Sequence, residues 1–148
     1  MCVELLFRRY ETTDQPACLS LFDANCPAYF APNEREDYAH FLSCRSDLYQ
    51  VCMLGERIVG AFGLYPSSEG GSALHWILLS PLAQGHGLGS IVMSRVISES
   101  RTNGCSIIHI SASHKSAPFF AKFGAVELST ILDGWGPGMH RVEMRLAS

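Results

Sequence analysis

The chain has 148 residues, of which 47% are hydrophobic and 17% are charged, and its formal net charge is −3. This composition excludes wholesale disorder, and a chain of this length normally forms one domain with a sizeable core. The small acidic excess argues against nucleic acid as the main partner. We therefore expect a single domain over residues 1–148.

The pattern of apolar, capping and turn residues predicts an alternation of strands and helices. In chain order these are a strand over 3–9, a helix over 15–23, a helix after Asn33, a hairpin of strands over 49–54 and 58–65, a strand over 73–79, a helix that Asn103 and Gly104 end, a strand over 105–111, a helix over 113–123, and strands over 125–132 and 139–146. This order, β-α-α-β-β-β-α-β-α-β-β, defines an α+β or mixed α/β domain.

Local signals support several of these boundaries. Asp14 can cap the first helix, and Asn33 with Glu36 three residues later forms a capping-box pattern for the second. The strand over 73–79 is a near-continuous apolar run, which is typical of a strand covered on both faces. Residues 133–138 contain three glycines and a proline, and this composition favours a loop.

No segment for export, membrane crossing or metal binding is recognisable. No apolar run reaches the ~20 residues that a membrane helix requires, and the first residues lack the basic start of a signal peptide. The six cysteines form no C-x-x-C pair, so they predict reduced thiols. We expect a cytoplasmic protein with no metal and no membrane partner; a homodimer is compatible with the sequence.

The most informative stretch is the glycine-rich turn QGHGLG at residues 84–89, between the apolar strand and a helix. The first amides of a helix lack partners within it and carry partial positive charge, so they attract an anion such as a phosphate. Two familiar phosphate loops fit poorly. The dinucleotide fingerprint requires G-x-G-x-x-G and a later acidic residue, and the P-loop requires a lysine, which is missing before Ser90.

The turn does match the pattern Q/R-x-x-G-x-G/A, which resembles the pyrophosphate loop of the GCN5-related N-acetyltransferases (GNAT superfamily). A second stretch, PFFAKFGA at residues 118–125, resembles the family signature F-Y-x-K-x-G-F. The order of the predicted elements is similar to this family over essentially the whole chain. The resemblance implies a central mixed, mostly antiparallel sheet of about seven strands, flanked by about four helices.

The resemblance also implies acetyl-CoA as the cofactor, lying where the apolar strand separates from the next one. Backbone near Leu78 and Leu79 would bind the pantetheine arm, and the turn amides would hold the pyrophosphate. The cofactor-binding residues implied are Leu78, Leu79, Gln84, Gly85, His86, Gly87, Leu88, Gly89, Ser90, Ser113 and Phe120.

His75 is the candidate general base, because arylalkylamine N-acetyltransferases, which the chain resembles here, carry a histidine at that place. An imidazole titrates near neutral pH and can take a proton from an amine. Strand alternation would put His75 on one face with Ala73, Ile77 and Leu79. The alternative is a histidine bonded within the core.

The chain departs from the family at Phe120, where many members have a tyrosine that protonates the leaving thiolate. Three explanations stay open. The thiolate leaves unassisted, since a thiol has a pKa near 8.5; His114 or Tyr65 replaces the tyrosine; or the domain binds the cofactor without much catalysis.

Five residues are candidates for binding the acceptor: Tyr29, Phe30, Glu34, Trp135 and His140. For the aromatic residues the alternative is core packing; for Glu34 it is a solvated helix start, and for His140 a structural role at the end of a strand. We expect an enzyme that transfers an acetyl group from acetyl-CoA to a primary amine of a small molecule or peptide. The alternatives are a noncatalytic acyl-CoA-binding sensor and a nucleotide-dependent oxidoreductase, against which the missing ribose-binding acid argues.

Overall fold

The computed structural model describes residues 5–83 and 87–148. The strands are β1 (Leu5–Arg9), β2 (Tyr49–Leu54), β3 (Arg57–Pro66), β4 (Ser72–Leu79), β5 (Ile107–Ser113), β6 (Val126–Gly136) and β7 (Met139–Ala147). The helices are α1 (Gln15–Ala24), α2 (Glu34–Cys44), α3 (Leu88–Thr102) and α4 (Ala117–Ala121), with short 3-10 turns at Thr12–Asp14 and Pro81–Ala83.

The strands form one seven-stranded sheet in the order β1-β2-β3-β4-β5-β7-β6. Neighbouring strands are antiparallel except β4 and β5, which are parallel and pair over only three residues, from Ser72↔Ile108 to Leu74↔Ile110. The predicted α+β class, with a mostly antiparallel sheet of seven strands and four helices, is confirmed.

Two hydrophobic clusters cover the two faces of this sheet. Alternation along β3 sends Phe62 and Leu64 into the first cluster, which α3 and α4 cover, and Ala61 and Tyr65 into the second, which α1 and α2 cover. The second cluster is rich in aromatic rings; Tyr38 is fully buried there. Each helix pair is therefore held by its own apolar layer.

The alternation in β4 is interrupted at Trp76, which has a φ of 50°. On the β3 side, Gly63 pairs with His75 and Ala61 pairs with Leu78, so β4 has one extra residue there. Such a bulge reverses the side-chain parity of the residues that follow. The predicted shared face of His75 and Ile77 is therefore wrong: Ile77 packs on the first cluster, while the His75 ring meets Tyr65 of the second.

Several predicted boundaries need correction. β5 begins at Ile107, two residues later than predicted, and α4 is one short helix preceded by a turn. The loop predicted over 133–138 is wrong, because β6 continues to Gly136 and only Pro137 and Gly138 turn the chain. A positive φ of 53° at Asp133 bends the strand without ending it.

The predicted helix caps are also wrong in detail. The Asp14 carboxylate accepts the Glu11 amide and pairs with Arg8 instead of capping α1. The Asn33 side chain donates to the Trp135 carbonyl at 2.8 Å, so it does not cap α2 and no capping box forms with Glu36. The Asn33 side chain thus joins distant segments, whereas Asp14 bonds only to nearby residues.

Two further findings concern the described residues. None of their helices is long and apolar enough to cross a membrane. Within residues 5–83 and 87–148, no group of three or more His, Cys, Asp or Glu side chains could hold a metal ion, and the cysteines in these ranges are free thiols.

Candidate active site

A cavity of about 830 Å³ lies where β4 and β5 separate beyond their three paired residues. One end, which we call the helix end, is formed by residues 87–90 at the start of α3. The other, the aromatic end, is lined by Tyr29, Phe30, Glu34, Trp76 and Trp135. A single space therefore joins the start of a helix to an aromatic chamber.

The helix end has the geometry of an anion site. Gly87 is the N-cap of α3 with a φ of 69°, and its carbonyl accepts the first helical hydrogen bond from Ile91 at 3.0 Å. The amides of Leu88, Gly89 and Ser90 precede that bond, so they have no acceptor within the helix. A side chain at Gly87 would enter open space, since no described atom lies within 4 Å of its Cβ position. This end fits a phosphate group. Gln84, Gly85 and His86 lie outside the described residues.

The wall between the two ends is mainly apolar. Phe119, Phe120 and Leu79 line it, and Phe120 is buried in the first cluster. Leu78 does not line the cavity, because its side chain lies in the second cluster. Ser113 lines it, but its hydroxyl is bonded to the Ser116 hydroxyl at 3.1 Å.

His75 lines the cavity from β4 and is half-buried. Its ring lies edge-on to Tyr65 with centroids 5.2 Å apart, and no hydrogen bond joins it to any described residue. Burial, with a smaller effect from the Arg45 charge, lowers the pKa of His75 below its ordinary value. The ring is therefore neutral at pH 7 and can accept a proton.

Glu34 is the second titratable group of interest in the cavity. Its side chain is buried, with the residue 4% exposed, so the solvated helix start is wrong as an explanation. One carboxylate oxygen accepts the Ala31 amide at 2.8 Å. Burial raises the pKa of Glu34 to about 7, because a charged carboxylate loses solvation in this apolar setting.

The aromatic rings form the walls around Glu34. Phe30 and Trp76 stack with centroids 6.0 Å apart and an interplanar angle of 18°. Trp135 lines the cavity from β6, where its indole nitrogen donates to the Ala112 carbonyl at 2.9 Å. Tyr29 is 40% exposed and lies at the rim.

The remaining predicted residues lie elsewhere. His140 does not line the cavity; its Nδ1 accepts the Asp133 amide at 3.0 Å and its ring packs on His114 at 4.6 Å. Among the suggested replacements for a tyrosine acid, neither His114 nor Tyr65 lines the cavity. The Tyr65 hydroxyl donates to the Arg45 carbonyl, and burial raises its pKa to about 12.

Sequence reasoning missed many residues of the cavity, among them Asn25, Trp76 and Arg141. Asn25 is buried and ties α1 to the end of β4, since its side-chain amide donates to the Leu21 and Leu79 carbonyls at 2.8 and 3.0 Å. Trp76 was not expected to line a site, and Arg141 lies over the Trp135 ring at 4.8 Å. The sequence signal that could have indicated Trp76 is its position directly after His75, the candidate base.

One cavity therefore contains the unpaired amides at the start of α3 and the half-buried ring of His75. The sequence model of the acetyltransferase (GNAT) family matches residues 18–125. The chain belongs to this family. Membership in this family argues against the alternative function of a nucleotide-dependent oxidoreductase.

Solved structures share this fold at low sequence identity. Ard1 from Thermoplasma volcanium is 13% identical, with 98% of each chain covered and a TM-score of 0.81. The ribosomal-protein-S18-alanine N-acetyltransferase from Escherichia coli is 16% identical, with 97% of this chain and 94% of that chain covered and a TM-score of 0.76. N-acetylglutamate synthase from Neisseria gonorrhoeae, solved with coenzyme A and N-acetylglutamate, is 17% identical, with 97% and 35% covered and a TM-score of 0.73. No curated protein sequence matches the chain.

Proposed function

We propose that residues 1–148 form a single acetyltransferase domain that moves the acetyl group of acetyl-CoA to a primary amine of a small molecule or peptide. The observation that carries this proposal is the shared cavity: the anion site at the start of α3 and the His75 ring both line it. The family membership and the relatives solved with coenzyme A support the same donor. We also propose a cytoplasmic location, which the free thiols support.

The chain's own residues account for binding the donor. The amides of residues 88–90, which have no acceptor within α3, would hold the pyrophosphate, and the dipole of α3 would favour its negative charge. Leu79, Phe119 and Phe120 supply an apolar wall for the arm that leads to the thioester. Gln84, Gly85 and His86 remain proposed cofactor-binding residues on the family resemblance alone.

His75 acts as the general base. Acetyl-CoA supplies a thioester, whose carbonyl carbon the free amine attacks; the new C–N bond forms and the C–S bond breaks. An amine is mostly protonated at pH 7, so a proton must leave it first. The neutral His75 ring, directly or through water, takes that proton. Its lowered pKa favours the unprotonated form that this role requires.

Departure of the thiolate needs no protein acid in this account. Phe120 has no proton to donate, and the Tyr65 hydroxyl is bonded to the Arg45 carbonyl. A thiol with a pKa near 8.5 is a tolerable leaving group near neutral pH. The amine nitrogen loses a second proton as the amide forms, and the thiolate takes up a proton from solvent to give the free coenzyme A thiol.

The competing candidate is a noncatalytic acyl-CoA-binding sensor, which the absence of a hydroxyl at Phe120 favours. The two functions differ in one assay. Purified protein is mixed with acetyl-CoA and a panel of amines and peptides, and release of free thiol is followed. The enzyme shows amine-dependent release, whereas a sensor shows a raised melting temperature with acetyl-CoA and no release.

A further inference from the structure

The backbone carbonyl of Trp76, at the bulge of β4, is held by a side chain from another strand. Between the partners of His75 and Leu78, β3 has one residue where β4 has two, Trp76 and Ile77. A bulge disrupts the ladder locally, so a backbone group there needs a partner from elsewhere. The Tyr49 hydroxyl donates to the Trp76 carbonyl at 2.6 Å. This donor comes from β2, on the far side of β3.

The Tyr49 hydroxyl is itself held in place. Tyr49 and Tyr38 are both fully buried, and their hydroxyl oxygens lie 2.9 Å apart. A tyrosine has one hydroxyl proton, and Tyr49 gives its own to the Trp76 carbonyl, so Tyr38 is the donor to Tyr49. Burial raises the pKa of Tyr49 well above its ordinary value, so the hydroxyl stays protonated at any working pH. A directed series of hydrogen bonds therefore joins α2, β2 and β4.

Gly63 leaves the space that Tyr49 needs to reach across β3. Gly63 pairs with Tyr49 on one side and with His75 on the other, so these three residues lie side by side in the sheet. A Cβ at Gly63 would lie 3.0 Å from the Tyr49 ring and 2.5 Å from the Tyr65 ring, which is closer than ordinary van der Waals contact. Two tyrosine rings thus take the space of the missing side chain. The Tyr49 ring extends to the bulge, and the Tyr65 ring packs edge-on to His75.

The backbone at Trp76 needs support of this kind. Its φ of 50° is an outlier for a bulky residue, and such strain persists only where the surrounding structure fixes it. The ring of His75, the preceding residue, forms no hydrogen bond with any described residue. Its place in the cavity therefore depends on the β4 backbone and on packing against Tyr65. Relaxation of the backbone at Trp76 would move the His75 ring.

We propose that Tyr49 is a positioning residue for acetyl transfer: its hydroxyl holds the bulge at Trp76 and thereby fixes the His75 ring in the cavity. Tyr49 does not line the cavity, so it acts through the β4 backbone and not by contact with the substrates. The proposal rests on the proposed role of His75 as general base and adds the residue that places it. Loss of the hydroxyl should slow the chemical step without weakening the binding of acetyl-CoA.

Tyr49→Phe tests this role, because it keeps the ring and removes the hydroxyl. With the amine that the wild type acetylates fastest, we expect kcat to fall by ~10-fold. KM for acetyl-CoA and the rise in melting temperature with acetyl-CoA should stay unchanged. The matched control is Tyr38→Phe, which removes a buried hydroxyl of the same series but leaves the bond from Tyr49 to Trp76, so its kcat should stay within ~2-fold of the wild type. Equal losses of kcat in both variants, or a wild-type kcat in Tyr49→Phe, overturn the proposal.

Two further backgrounds separate the effect on the backbone from a general loss of stability. Trp76→Gly and Trp76→Ala both remove the indole, but only glycine adopts a positive φ readily. Tyr49→Phe should lower kcat by ~10-fold when it is added to Trp76→Ala and by less than ~2-fold when it is added to Trp76→Gly. If the double variants are too unstable for the assay, Tyr49→Phe should lower the melting temperature less in Trp76→Gly than in Trp76→Ala. An equal effect in the two backgrounds contradicts an action through the backbone of Trp76.

The His75 ring can also be observed without turnover. Its ring C–H signal in a two-dimensional NMR spectrum is assigned by its loss in His75→Ala. Tyr49→Phe should shift this signal and Tyr38→Phe should not, while the signal of His109 on β5 stays in place in both. An unchanged His75 signal removes the role of Tyr49 and leaves the acetyltransferase assignment standing. If no amine releases thiol from the wild type, the proposed function fails instead, and the NMR signal still decides whether Tyr49 holds the ring.

Discussion

The buried carboxylate of Glu34 predicts an unusual dependence of stability on pH. Its pKa rises from the ordinary value of 4.5 to about 7 in the folded protein, because burial disfavours the charged form. Between these values the folded protein holds a proton that the unfolded chain has lost. The free energy of unfolding must therefore fall as pH rises through this window.

The magnitude follows from the pKa difference. Each pKa unit corresponds to about 1.4 kcal/mol, so full ionisation of Glu34 costs about 3 kcal/mol by roughly pH 8.5 and almost nothing near pH 4. Glu34→Gln keeps the size of the side chain and an oxygen for the Ala31 amide, but it cannot ionise. We expect the variant to match the wild type near pH 4 and to exceed it by about 3 kcal/mol near pH 8.5.

Urea unfolding followed by tryptophan fluorescence at several pH values measures this difference. The control is Glu36→Gln, which makes the same substitution at an exposed position in the first turn of α2. Its stability should run parallel to that of the wild type, since other groups titrate alike in both proteins. A Glu34→Gln profile that also runs parallel to the wild type would refute a buried carboxylate with a raised pKa.

Three further predictions concern the proposed reaction. Gly87→Glu puts a carboxylate at the phosphate position, so acetyl-CoA should no longer raise the melting temperature; Gly104→Glu, also at a positive φ with open space, controls for backbone strain and should keep that response. If NAD stabilises the wild type and coenzyme A does not, the donor is wrong. His75→Ala should lower turnover by ~10²-fold or more while coenzyme A still binds; wild-type rates from about pH 6 to pH 9 would contradict its role as base. Phe120→Tyr should raise turnover modestly if leaving-group protonation is merely absent, and a clear loss would indicate that the buried ring cannot accept the hydroxyl.

Sequence patterns were sufficient for most strands and helices and for the start of α3, whereas the arrangement of the sheet followed from the family resemblance. Strands and helices follow from periodicity, and Gly87 with Gly89 marks the start of α3 because few residues other than glycine suit such a turn. The strand boundaries near β2 and β3 agree closely, since Gly55 and Glu56 form a short hairpin turn.

The aromatic end was much less accessible to sequence reasoning. The bulge at Trp76 depends on pairing with β3, and it moves His75 to the other face from Ile77. The burial of Glu34 depends on packing between distant segments, which the bond from the Asn33 side chain to the Trp135 carbonyl joins nearby. Neither the strand bulge nor the Asn33 contact leaves a local sequence pattern. Capping rules therefore predicted Asn33 as a side-chain cap of α2, whereas in the folded chain its side chain bonds elsewhere.

The central claim is that one cavity brings a thioester and an amine together for reaction. Incubation of the protein with acetyl-CoA labelled in the acetyl group and with the panel of amines and peptides, followed by mass spectrometry and a thiol assay, tests it most directly. We predict a labelled N-acetylated acceptor in equal amount to the released coenzyme A, with little of either when His75→Ala replaces the wild type. Thiol release without acetylated amine, or neither product from a protein that acetyl-CoA stabilises, would contradict the account.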